Sequence, residues 1–250
     1  MKIKHLLCFI ALCLFFTPGK AQQLSVMTLR NGATVYIWED KSKPDVFGMI
    51  AFKVGSVDDP EQYTGLAHYL EHVMFKGTQT IDALDWEKEK PIYEKIIAKY
   101  DERAALSDPA AREAIDKGIN DLTREAAQYA AGNEFSLLVD HMGGQGLNAS
   151  TGYDQTEYHN SFPPSQLEKW LEIYSERLID PVFRGFQTEL EAVYEEYNMY
   201  NDDRGSRMRE FIYEQAFGDH PYARPIIGLP EHLKNPQLSK LIDFYNTWYG

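Results

Sequence analysis

The chain has 250 residues, with 25 Lys and Arg against 38 Asp and Glu, a formal net charge of −13 at pH 7. That acidity argues against nucleic acid and against anionic membrane surfaces as partners, since both carry the same sign of charge. Its two cysteines, Cys8 and Cys13, both lie near the N-terminus, so the body of the chain carries no disulfide framework and must be held by a core.

The opening "MKIKHLLCFIALCLFFTPGKAQQ" has a short basic start, an apolar run from Leu6 to Phe16, then Pro18-Gly19 and the small Ala21. This pattern predicts a secretory signal peptide over residues 1–21, cleaved after Ala21. The apolar run is too short for a stable anchor, so no stable membrane insertion is expected once the leader is removed. Leucine precedes each cysteine, where lipid attachment needs a small residue. Cleavage removes Lys2, Lys4 and Lys20 and takes the charge from −13 to −16. It leaves about 229 residues, enough for one sizeable domain. The expected destination is a bacterial periplasm, with secretion as the alternative.

From Leu24 to Glu39 the sequence alternates around Asn31-Gly32, which predicts a β-hairpin. "VFGMIAFKV" (46–54) reads as a third strand, apolar enough to be central. Asp58-Asp59-Pro60 and Thr64-Gly65 open a helix, "GLAHYLEHVMFKGT", that Gly77 is placed to close. Residues 82–131 are charged and alanine-rich. Ile92, Ile96 and Tyr100 form one stripe, Ile115, Ile119 and Leu122 another, and Ser107-Asp108-Pro109 divides them. The segment reads as an α-hairpin making a solvated excursion from the core.

"NEFSLLVDHMGGQG" predicts a short helix ended by glycines, and "LNASTGYDQTEYHNSF" one or two strands. An amphipathic helix begins at Ser165 and stops before Pro181. Another runs from about Thr188 to Tyr200, and a last one from Pro236 to about Tyr245. "HPYARPIIG" (220–228) reads as a turn from its Pro and Gly content. Strands and helices alternate without regular βαβ order, which predicts an α+β fold, a mostly antiparallel sheet packed against helices, with an inserted α-hairpin.

One turn of the first helix, "HYLEH", carries three ionisable groups among Leu66, Leu70, Val73 and Phe75. His68 and His72, at i and i+4, share a face and can aim ring nitrogens at one point, as a tetrahedral metal site requires. The pattern H-x-x-E-H is a zinc peptidase signature with a definite chance rate, against the plainer reading of two ordinary helix histidines and a solvated glutamate. A third ligand is needed, and "TELEAVYEEYNMY" (188–200) offers Glu189 and Glu196 on one face and Glu191 and Glu195 at i, i+4. Spacing does not choose among the four. His141, His159, His220 and His232 have no ligand spacing and read as structural or surface groups.

"GLAHYLEHVMFKGT", "GLNAST" and "ELEAVYEE", in that order, resemble the pitrilysin, or M16, family of zinc metallopeptidases. The resemblance implies one Zn2+ per chain, held by His68, His72 and Glu196, with Glu71 as the base that activates water and Glu189 supporting the site. It matches Asn148 and Ala149 to an edge strand along which an extended peptide lies, and Phe75 to a wall of the substrate pocket. It implies an M16-like catalytic domain over residues 22–250 that is truncated at its C-terminal end and works with further domains of similar fold, in the same chain or in a partner subunit. The chain stops at "LIDFYNTWYG", where Phe244, Tyr245, Trp248 and Tyr249 are expected to lack cover, and this end by itself points to truncation. His72 and Glu196 are 124 positions apart, more than the resemblance leads one to expect, and residues 82–131 account for the excess as an insertion. The implied activity is endopeptidase action on extended or unfolded peptides. The alternative is a non-catalytic zinc-binding partner subunit of an M16-type assembly, but His68, Glu71, His72 and Glu196 are all present.

Overall fold

A β-hairpin closed by an Asn-Gly turn starts the described part of the chain. The structure, a computed structural model, describes residues 24–249, in two units divided between Pro44 and Asp45. The expected leader and its cleavage point lie outside the described residues. In the first unit β1 (Leu24–Thr28) pairs antiparallel with β2 (Thr34–Trp38). Gly32 takes the left-handed φ of 89° that the turn demands, and Asn31 accepts from the Ala33 N–H at 3.1 Å.

The second unit holds an antiparallel sheet of β3 (Val46–Phe52), β4 (Gln145–Thr151) and β5 (Thr156–Phe162) in the order β3-β5-β4. The central strand is therefore β5 and not the 46–54 run. The reason is visible in its alternation, which buries Thr156, Tyr158, Asn160 and Phe162 on one face. Asn160 is fully buried and accepts from Trp170 Nε1 (2.8 Å) and the Tyr174 hydroxyl (2.7 Å), so this polar group is satisfied.

The helices are α1 (Leu66–Val73), α2 (Trp86–Ala105), α3 (Pro109–Ala126), α4 (Glu134–His141), α5 (Leu167–Ile179), α6 (Phe186–Asp202), α7 (Arg204–Phe217), the single turn α8 (Pro230–Leu233) and α9 (Leu238–Trp248). The break before α3 is the expected one, with Asp108 capping the Ala111 N–H at 2.9 Å and Pro109 in the first helical position. The α2–α3 hairpin is more than a solvated excursion. Ile92, Ile96 and Tyr100 are buried, and Glu89, 2% exposed, forms a two-pronged ion pair with Arg184 (2.6 and 2.7 Å).

Helix α7 carried no sequence expectation; its apolar residues Met208, Phe211 and Ile212 stand at helical spacing but are exposed, and none of its residues is buried. The expectation for the last helix is corrected in its packing. Phe244, Tyr245 and Tyr249 are buried, and Tyr249 stacks on Phe52 with 4.1 Å between ring centres; Trp248 stays partly exposed. Among the described residues no helix is long and apolar enough to cross a membrane.

Candidate metal centre

Helix α1 crosses the second unit with His68 and Glu71 buried and His72 half-buried. Its start is anchored by Asp59, whose two carboxylate oxygens accept from the N–H groups of Gly65 (2.7 Å) and Ala67 (2.9 Å). Gly65 has φ 89°, and a Cβ there would sit 2.5 Å from the Ile227 carbonyl oxygen. Backbone thus packs on backbone, and the 220–228 segment, expected to be a plain turn, forms a wall beside α1 with Ala223 to Ile227 lining the cleft. At the other end Arg177 donates to the Met74 carbonyl at 3.0 Å and lies over the rings of Phe75, Tyr158 and Phe135 at 4.3–4.5 Å.

On α6, Glu189 and Glu196 turn toward α1, while Glu191 and Glu195 are exposed. Glu196 Oε2 lies 3.6 Å from His68 Nε2 and 3.5 Å from His72 Nε2. These separations are long for hydrogen bonds. They match the edges of a tetrahedron about a zinc ion, where bonds of about 2.0–2.1 Å put neighbouring ligand atoms about 3.3 Å apart. One donor atom from each of His68, His72 and Glu196 falls within 4.8 Å of the others. The donor set, two imidazoles and a carboxylate, suits zinc.

The other ring nitrogen of His72, Nδ1, faces Glu189 Oε2 at 3.6 Å, and Glu189 Oε1 pairs with Lys76 at 2.6 Å. A carboxylate on that side of the ring favours a proton on Nδ1, which would leave Nε2 to a metal ion. Burial pulls His68 down to about 4, and His72 beside it acts the same way. Burial also lowers His72, but Glu189, Glu196 and Glu71 outweigh it and hold it up at about 9. The imidazolium of His72 in turn helps keep Glu196 below the usual carboxylate range. Three carboxylates face Lys76 and the His72 imidazolium here, and a divalent cation bound to Nε2 would take the place of the His72 proton in balancing them.

Glu71 sits beside this point with its carboxyl pushed up by burial, although Thr151 donates to its Oε2 at 2.7 Å and acts to lower it. Helix α1, strand β4, α6, α7 and the 223–227 segment enclose a cleft of about 610 Å³. Phe75, Asn148 and Ala149 all line it, the last two on β4, whose outer edge ends the sheet order. His141, His159, His220 and His232 do not join the metal-binding group; His232 instead bonds Thr64 Oγ1 at 2.8 Å.

Sequence reasoning missed Thr151, Lys76, Tyr200 and the α7 residues Arg209 and Tyr213. Thr151 ends the "GLNAST" block, Lys76 lies in "GLAHYLEHVMFKGT" and Tyr200 ends "TELEAVYEEYNMY" one turn past Glu196, so these three could have been found there; the α7 residues carry no local signal. Tyr213 is held by Tyr153, whose ring stacks on it at 5.4 Å.

Fold and site together are those of an α+β domain built around an H-x-x-E-H metal-binding helix. Residues 34–90 and 122–229 match the insulinase family, peptidase family M16, and the chain belongs to it. Residues 91–121, outside the match, lie within the α2–α3 hairpin. The chain is 25% identical over 198 residues to an uncharacterized zinc protease of Mycobacterium leprae, 78% of this chain and 33% of the relative. Among solved structures it is similar to a protease from Helicobacter pylori, with a TM-score of 0.67 and 22% identity over 91% of this chain and 44% of that one. The first half of the periplasmic protease PqqL from Escherichia coli gives a TM-score of 0.65 at 22% identity, covering 91% of this chain and 41% of that one. The chain thus spans a third of the Mycobacterium leprae relative, 44% of the Helicobacter pylori protease and 21% of the full PqqL chain.

Proposed function

We propose that this chain is the catalytic domain of a zinc-dependent endopeptidase that hydrolyses extended or unfolded peptides. The observation that carries the reading is the convergence of His68, His72 and Glu196, with Glu71 buried beside them on the floor of an open cleft. A zinc ion held by those three residues would polarise the scissile carbonyl and make water acidic enough to attack. Glu71, kept from the metal by its place on the helix, takes the water's proton and passes it to the leaving amine. Its raised carboxyl suits a base that must also act as an acid. Glu189 orients His72. The free edge of β4 at Asn148 and Ala149 pairs with an extended peptide through its main chain, and Phe75 forms a wall for one side chain.

The relatives are longer, and the chain works in this reading with further M16-like domains, in the same chain or in a partner subunit. The periplasmic relative and the leader-like N-terminus support an exported, periplasmic protein. Zinc content of the purified protein tests the ligand set, at one ion per chain. Glu196→Gln is expected to lose the ion and Glu191→Gln to keep it; the reverse result refutes the assignment. Glu71→Gln is expected to keep zinc and lose about 10²- to 10⁴-fold in hydrolysis of a quenched extended peptide. A zinc-loaded wild type that cleaves no peptide would favour the non-catalytic partner instead.

A further inference from the structure

Tyr200 lies on α6 one helical turn beyond Glu196, on the same face. It lines the same cleft as His68, Glu71, His72 and Glu196, and its hydroxyl is near enough to the Glu196 carboxylate for the two to influence each other's charge. The residue lines the cleft and is 49% exposed. Tyr194 and Tyr197 on the same helix pack against the core, but Tyr200 does not. Its ring therefore does little to hold the fold, and it stands in the cleft beside the converging His68, His72 and Glu196.

We propose that Tyr200 is a catalytic hydrogen-bond donor, standing one turn from Glu196 in the free site and turning to the scissile carbonyl oxygen of a bound peptide. This rests on the peptidase reading above. The carbonyl oxygen must approach the point where His68, His72 and Glu196 converge, so a hydroxyl already beside Glu196 reaches it by a side-chain rotation. As water adds to the carbonyl carbon, one proton goes to Glu71 and the C=O π pair moves onto the oxygen. Tyr200 donates a hydrogen bond to that oxygen and keeps its own proton. On collapse the C–N bond breaks, the oxygen pair re-forms the carbonyl, and Glu71 delivers its proton to the leaving nitrogen. A donor placed where charge develops acts on the transition state more than on the bound substrate.

The test compares the full-length gene product with its Tyr200→Phe variant. Zinc content and thermal midpoint should be unchanged, kcat should fall about 10²- to 10³-fold, and KM should move less than about 2-fold. A phosphinic peptide, whose tetrahedral phosphorus carries an anionic oxygen, should bind more weakly by a similar factor. An uncleaved amide peptide should bind the Glu71→Gln protein equally with or without Tyr200→Phe. Loss of zinc in the variant would make Tyr200 a support for Glu196 and overturn the proposal. So would unchanged kcat together with unchanged phosphinic peptide affinity. A wild type inert toward peptides refutes the peptidase reading; the phosphinic peptide comparison still decides whether Tyr200 meets an oxyanion.

Discussion

Asp59 holds the N-terminal end of the histidine-bearing helix, and it does so from a position 5% exposed. Burial raises its carboxyl from 3.8 to about 7, against the lowering effect of its two backbone hydrogen bonds and Arg224. The folded protein therefore binds a proton here that the unfolded chain releases near pH 4. This contribution to stability is fully present below pH 3.8 and is lost as pH rises through 7. Its size is on the order of a few kcal/mol. Urea midpoints for wild type and Asp59→Asn should show the wild type losing more stability between pH 5 and pH 8 than the variant. Parallel losses would mean that another group sets the slope, since the titrations of His68 and His72 cancel in the comparison.

Among the elements, the α2–α3 hairpin is tied to the core through a buried ion pair. Glu89 and Arg184 are paired where little water reaches, and Arg184 Nη1 also donates to the carbonyls of Thr78 (2.8 Å) and Lys76 (3.3 Å). The pair thus joins α2 to the loop that follows α1. Removing one partner leaves the other charge buried and uncompensated, at a cost of about 3–5 kcal/mol. Glu89→Gln should lower the urea midpoint accordingly while zinc content at low denaturant stays at the wild-type value. A change under about 1 kcal/mol would show that Arg184 finds water instead. We read residues 82–131 as an insertion docked in this way, and the family match that skips 91–121 supports that reading.

For the whole molecule, the acidic balance and the leader-like N-terminus bear on where it works. We expect export with cleavage after Ala21, and N-terminal sequencing of the protein from a periplasmic fraction should begin at Gln22. An intact Met1 in a cytoplasmic pool would refute this. The chain covers only part of each relative's length, so the isolated 250 residues are expected to bind zinc and to turn over peptide more slowly than a full-length product at equal zinc occupancy. Equal kcat/KM for the two would show that this domain needs no other.

Sequence alone determined what depends on near neighbours. The Asn31-Gly32 turn, the cap and proline that start α3, and the helix that puts His68 and His72 on one face all follow from local backbone preference and period. Only tertiary structure decided what depends on how these elements dock. Glu189, Glu191, Glu195 and Glu196 differ mainly in rotation about one helix axis, so the packing of α6 against α1 selects which of them meet the histidines. Thr151 reaches Glu71 across 80 positions of chain, and Tyr153 meets Tyr213 across the cleft wall. Helix α7 has apolar residues at helical spacing, Met208, Phe211 and Ile212, that stay exposed, and no local pattern shows that the helix lines one side of the cleft. Local propensity is written along the chain. The shape of a cleft comes from long-range packing, which no short window of sequence contains.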